Sequence, residues 1–182
     1  MWNKLLYWIT LRRFQWEHRQ SASDIISFTQ ALSDAKNILI CLPWDFTEFL
    51  VARYVLKYIS QDDQKHHITY IVPNGFNSPI PTRPQDTVVR ANGTSRTRAG
   101  LFSEAFERQI TRNDFHVAAD FSHTFDLGTS MLCWRSGAPL RIGLESPYSH
   151  LFFNIEFAQE GGEFPLENAY RGIQKTLAIE GK

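Results

Sequence analysis

The chain is short of cysteine, of net charge and of uninterrupted apolar sequence. Two cysteines in 182 residues are too few for a disulfide-stapled scaffold, and neither has the spacing of a metal-ligand set, so no metal site is expected. Cys41 and Cys133 each sit inside an apolar run, where a small hydrophobic thiol belongs in a reducing compartment. Nineteen basic side chains balance nineteen acidic ones, which removes the general electrostatic case for nucleic acid as a partner. No stretch approaches the ~20 apolar residues of a membrane span, and the N-terminal stretch has no small-residue cleavage site after its apolar part. A cytoplasmic chain is therefore expected. Glycine is missing from Pro43-Trp44-Asp45-Phe46-Thr47-Glu48, which excludes a Gly-rich dinucleotide loop or a P-loop there, and no cofactor is expected.

What the chain does have is apolar and aromatic residues, 43% and 14% of the total, far too many for a disordered segment and enough for one sizeable core. From Ile38 onward short apolar runs alternate with stretches of helical period. The runs are Ile38–Leu42, Ile68–Val72, Thr87–Val89, Phe115–Ala119 and Leu140–Leu144. Between them Thr47–Ile59, Ala99–Thr111 and Thr124–Arg135 are long enough for crossover helices. This alternation predicts an α/β fold, a Rossmann-like, doubly wound and mostly parallel sheet. Residues 36–182 form the predicted domain and residues 1–35 a helical extension. Asn74–Arg98, rich in Pro, Gly, Asn, Ser and Thr, reads as a long excursion with one short strand. Pro165–Ile179 carries Leu166, Ala169, Tyr170, Ile173 and Leu177 at helical spacing and predicts a closing helix. Ala22–Ala35 predicts another, with Ser21 and Asp24 spaced as a capping box.

Three constellations could carry chemistry. Asp45 and Glu48 lie just past the first strand, where open parallel sheets bind ligands. Two readings stand side by side: Glu48 as a general base tuned by Asp45, or Asp45 and Glu48 as the two members of a capping box. Asp120 and His123 follow the strand near Phe115 and could bind a ligand. A nucleophilic Ser122 is excluded for want of a Gly-x-Ser-x-Gly elbow, and Ser122 or Thr124 reads better as a helix cap. A metal held by His116, Asp120 and His123 is disfavoured, because strand parity aims the two histidines apart. Arg96 and Arg98, among small hydroxyl residues before a helix, could grip an anionic group of a saccharide, or simply belong to a solvated loop.

The N-terminal stretch holds three of the five tryptophans, with Leu5, Leu6, Ile9, Leu11 and Phe14, and Lys4, Arg12, Arg13 and Arg19 against Glu17 alone. Residues 1–20 could lie on the inner-membrane surface, making the protein peripheral there, or pack against the domain or a partner chain.

Three stretches carry a family resemblance. Asn37–Pro43 with the helix from Thr47, the run Val117-Ala118-Ala119-Asp120-Phe121, and Ser130–Leu144 with the later Phe152-Phe153-Asn154 resemble the N-terminal half of glycosyltransferase family 9, the heptosyltransferase-like enzymes of lipopolysaccharide core synthesis. The resemblance covers about residues 36–180 and implies a single GT-B-type half domain, the half that binds the acceptor. In that family the first turn ends in Gly-Asp, whose Asp is the base; Thr47-Glu48 stand there here, so the carboxylate is kept and the glycine lost. The sequence shows no second, donor-binding domain, so the expectation is a glycosyltransferase-like domain, non-catalytic alone, that binds a saccharide acceptor or a partner protein. Two alternatives remain: an active small glycosyltransferase (hexosyl or heptosyl transfer) with Glu48 as base, and a structural adaptor acting through the Trp-rich helix. The sequence leaves open whether the chain forms an oligomer.

Overall fold

The computed structural model describes residues 2–17, 31–32, 34–59, 65–158 and 164–177. The capping box at Ser21 and Asp24, and most of the helix expected after it, lie outside the described residues. Five helices and six strands are named in chain order: α1 (Trp2–Glu17), β1 (Asn37–Cys41), α2 (Phe46–Leu56), β2 (His67–Pro73), β3 (Thr87–Ala91), α3 (Glu104–Ile110), β4 (Val117–Asp120), α4 (Leu127–Arg135), β5 (Leu140–Leu144), β6 (Ile155–Phe157) and α5 (Pro165–Leu177).

The strands form one sheet in the order β3-β2-β1-β4-β5-β6, and every pairing is parallel. That order reverses direction between β1 and β4, which makes their carboxyl ends the topological switch point. The Rossmann-like reading of the sequence is what the sheet shows.

Strand parity divides the core into two layers. Ile38, Ile40 and Leu42 of the β1 run face one layer, with Phe49, Ala52, Val55 and Leu56 of α2 and Tyr170 and Ile173 of α5. Leu39 and Cys41 face the other, with Phe106 of α3, Met131, Leu132 and Cys133 of α4, and Leu11 and Phe14 of α1. Both faces being covered is why the strands read as near-continuous apolar runs. Cys41 and Cys133 meet inside the second layer, Sγ to Sγ 3.8 Å, as free thiols.

Several boundaries differ from the sequence reading. Helix α3 starts at Glu104 because Ser103 caps it, its hydroxyl accepting from Phe106 N, while Arg96 and Phe102 form an antiparallel bridge upstream. Helix α4 starts at Leu127, capped by Asp126 rather than by Ser122 or Thr124. The stretch Phe152-Phe153-Asn154, part of the family resemblance, precedes the last strand, which begins at Ile155; Phe152 and Phe153 are buried in the turn before it. The Phe153 ring fills the space a side chain at Gly143 would need, since a Cβ there would come 2.5 Å from it.

The β2–β3 connection holds no helix, as its Pro79, Pro81 and Pro84 dictate. It is pinned at its far end: Asp86 accepts from the backbone N–H of Ile68 and Arg83, and the Arg83 guanidinium donates to Asp86 and to the His66 carbonyl.

Candidate functional site

The switch point is built by two turns, Leu42–Asp45 after β1 and Phe121–Asp126 after β4. Asp45 has extended backbone, φ −84° and ψ 134°, and its Oδ1 accepts from Thr47 N at 2.8 Å and Glu48 N at 3.0 Å. It is the N-cap of α2. Glu48 does not close the box back onto Asp45. Its Oε2 accepts the backbone N–H of His123 at 3.1 Å, so the carboxylate of the first turn ties down the second.

Asp120 closes β4 and is 3% exposed. Its Oδ1 accepts from Ser122 N at 2.9 Å, and its Oδ2 from the hydroxyls of Thr129 at 2.6 Å and Ser130 at 3.3 Å. Burial pushes the carboxyl up to about 6 against the opposing pull of those donors, with nearby Asp126 adding to the rise. The carboxyl group is thus spent on shaping the turn and the first turn of α4.

Arg96 is also turned inward. Its Nη1 donates to Asp126 at 2.7 Å and to the Gly100 carbonyl at 3.3 Å, and its guanidinium lies over Trp44 at 3.9 Å and Phe102 at 4.8 Å. Gly128 makes this fit: a Cβ there would come 2.5 Å from the Gly100 carbonyl oxygen. Arg98 is exposed on the loop and takes no part in the cluster. Of the residues singled out in the sequence, the structure therefore brings Asp45, Glu48 and His123 together at the surface of the switch-point edge. Asp120 and Arg96 stand behind it, and Arg98 lies apart. His116 lies just before the first residue of β4, at the opposite end of that strand from Asp120 and His123, where its Nδ1 accepts from Asn37 N.

Tyr170 of α5 is the residue that sequence reasoning placed only in a core. It is fully buried against Phe121, ring centroids 5.2 Å apart. Burial first, then the charges of Glu48, Asp120 and Asp45, push its phenol well up, so it stays a neutral donor. Its hydroxyl, the Nδ1 of His123 and the indole N–H of Trp44 are buried without hydrogen-bond partners among the described residues. Three unmet polar groups thus surround one switch point.

Both helix N-termini at this edge carry a capping carboxylate. Asp45 takes the first N–H groups of α2, and Asp126 Oδ1 takes Thr129 N of α4 at 3.0 Å. Those are the donors that would otherwise cradle a phosphate. Away from the switch point, a groove of about 490 Å³ runs between Leu50, Arg53, Tyr54 and Lys57 of α2 and Pro79–Pro81; Arg53 donates across it to Ser78.

A Rossmann-like α/β domain with its switch point between β1 and β4 is the class that the fold defines. Among solved structures it is similar to E. coli heptosyltransferase WaaC with ADP-2-deoxy-2-fluoro heptose, at TM-score 0.61 and 14% identity over 80% of this chain and 49% of that one. It is similar to a glycosyl transferase of family 9 from Veillonella parvula at TM-score 0.56 and 17% identity, over 80% and 42%. It also matches WaaC with ADP at 0.58 and 16%, over 76% and 46%. The chain spans about half the length of these structures. No family model matches the sequence, and no curated protein does. The likeness is therefore one of fold, and it is the fold of a heptosyltransferase-like half.

Proposed function

We propose that the domain is the acceptor-side half of a GT-B-type glycosyltransferase cleft, binding a saccharide at the β1/β4 switch point and transferring no sugar without a second, donor-binding body. The observation that supports this most is the capping of both helix N-termini by the carboxylates of Asp45 and Asp126. A diphosphate brought to either end would meet the negative charge of the capping carboxylate, whereas sugar hydroxyls donate well to carboxylates.

In this reading Asp45, Glu48 and His123 touch the ligand, and Asp120 and Arg96 position the turns that carry them. The His123 N–H fixes one oxygen of Glu48 and leaves the other to accept an acceptor hydroxyl. With a donor-bearing domain apposed, Glu48 is the group placed to take that hydroxyl's proton as the new glycosidic bond forms. The buried free thiols Cys41 and Cys133 suit a reducing cytoplasm.

Amide hydrogen exchange tests the assignment. With a heptose-containing oligosaccharide, protection is expected in residues 44–48 and 121–126. Protection confined to the groove beside Tyr54, or none anywhere, would contradict it.

A further inference from the structure

Helix α1 is apolar on two sides. Its inner side packs on the domain through Leu11 and Phe14, 2% and 5% exposed. The Phe14 ring stacks on Phe152 at 4.6 Å and meets Trp134 edge-on at 5.0 Å. Its outer side presents Leu5, Leu6, Trp8 and Ile9, all 40–54% exposed within little more than one turn. Four large apolar side chains so close together on a helix already anchored by its other face have no role in the core.

The charge on this helix is mostly positive. Lys4, Arg12 and Arg13 lie along it, and its one acid, Glu17, is the last residue. Arg12 sits over the Trp8 ring at 4.6 Å, the pairing of cation and indole that suits a lipid headgroup layer. A second copy of the helix would bring these cations against their own kind. A surface that is apolar below and negative above meets both requirements. With only 16 residues, and no described helix long and apolar enough to cross a membrane, α1 is suited to lie along such a surface.

We infer that the outer face of α1, through Leu5, Leu6, Trp8 and Ile9 with its arginines, docks the protein on an anionic lipid bilayer. The direction of the helix gives this a consequence for the cleft. Tyr7 senses Asp126 and Tyr148, at the end of the sheet where the switch point opens, whereas Phe14 touches Trp134 near the other end of α4. Helix α1 thus runs in the same direction as α4, and its exposed apolar residues sit toward the switch-point edge of the domain. A docked molecule holds that edge at the membrane surface. None of this depends on the saccharide reading, and bare vesicles test it separately.

The purified full chain should pellet with vesicles of phosphatidylcholine containing phosphatidylglycerol, far less with phosphatidylcholine alone, and less as salt rises. The double variant Trp8→Ser/Ile9→Ser changes exposed positions only, and an unchanged thermal midpoint verifies its fold. Its partitioning should fall by about tenfold or more, from the apolar area removed. Equal pelleting of variant and parent, or no pelleting of the parent on anionic vesicles, overturns the inference. So does a parent that is dimeric in light scattering and becomes monomeric in the variant, which would give the face to a second copy.

Discussion

The Glu48 carboxylate accepts the backbone N–H of His123 at 3.1 Å, joining residues 75 apart in sequence across the point where the sheet reverses direction. One contact thereby sets the position of the proposed base and the shape of the opposite wall. Changing Glu48 to Gln keeps an acceptor for the His123 N–H and should alter stability by less than about 0.5 kcal/mol. Changing it to Ala removes the acceptor from a half-buried donor and should cost about 1 kcal/mol. Urea denaturation of both variants checks this, and equal stability would mean the tie is not formed in solution.

Asp120 gives the fold a definite pH response. Its carboxyl is raised from 3.8 to about 6, so the native state takes up a proton more readily than the unfolded chain. The associated stability is fully present below about pH 4 and is lost as pH rises through 6, about 3 kcal/mol from this group alone. Asp120→Asn removes the titration. The stability difference between parent and variant should therefore move in the parent's favour as pH falls from 7 to 4, measured by denaturant melts. A difference that stays flat across that range contradicts the burial of this carboxyl.

Gly143 lies in the middle of a buried strand with Phe153 where a side chain would be. Gly143→Ala must push that ring aside in a close-packed layer, and a loss of about 1–3 kcal/mol is expected. Ala at Gly137, where nothing stands within 4 Å but φ is +73°, should cost stability by a different route, backbone strain. Adding Phe153→Leu should recover part of the loss on the Gly143→Ala background and none on the Gly137→Ala background. Calorimetric midpoints of the parent, the three single variants and the two double variants distinguish the two mechanisms.

Much of the frame was legible in sequence because burial on both faces leaves a plain signature. Ile38–Leu42 and Ile68–Val72 are apolar runs too short for helices, and they form neighbouring central strands. The family resemblance rested on stretches such as Arg141-Ile142-Gly143, whose glycine answers to Phe153. What the sequence did not disclose are contacts set by strand order. Nothing in the periodicity of α5 says that Tyr170 lies near Glu48 and Asp120, or that Cys41 meets Cys133 from 92 residues away. The capping positions were only half legible for a related reason. Ser122, Thr124 and Asp126 are all good N-cap types, and the choice among them is made by Arg96, which pairs with Asp126 from another loop. Glu48 has the spacing of a capping box, but the nearby His123 N–H takes its side chain instead.

The most direct test of the account is a thermal-shift comparison of saccharides and nucleotides on the purified chain. A site filled at a hundred times its dissociation constant stabilises by about 2.7 kcal/mol, roughly 5–10 °C for a domain of this size. With both helix N-termini capped by Asp45 and Asp126, heptose-containing oligosaccharides should raise the midpoint by that amount, and ADP should leave it unmoved. A shift with ADP or a nucleotide-sugar, and none with the saccharides, would contradict the account and place a donor site where the carboxylates stand.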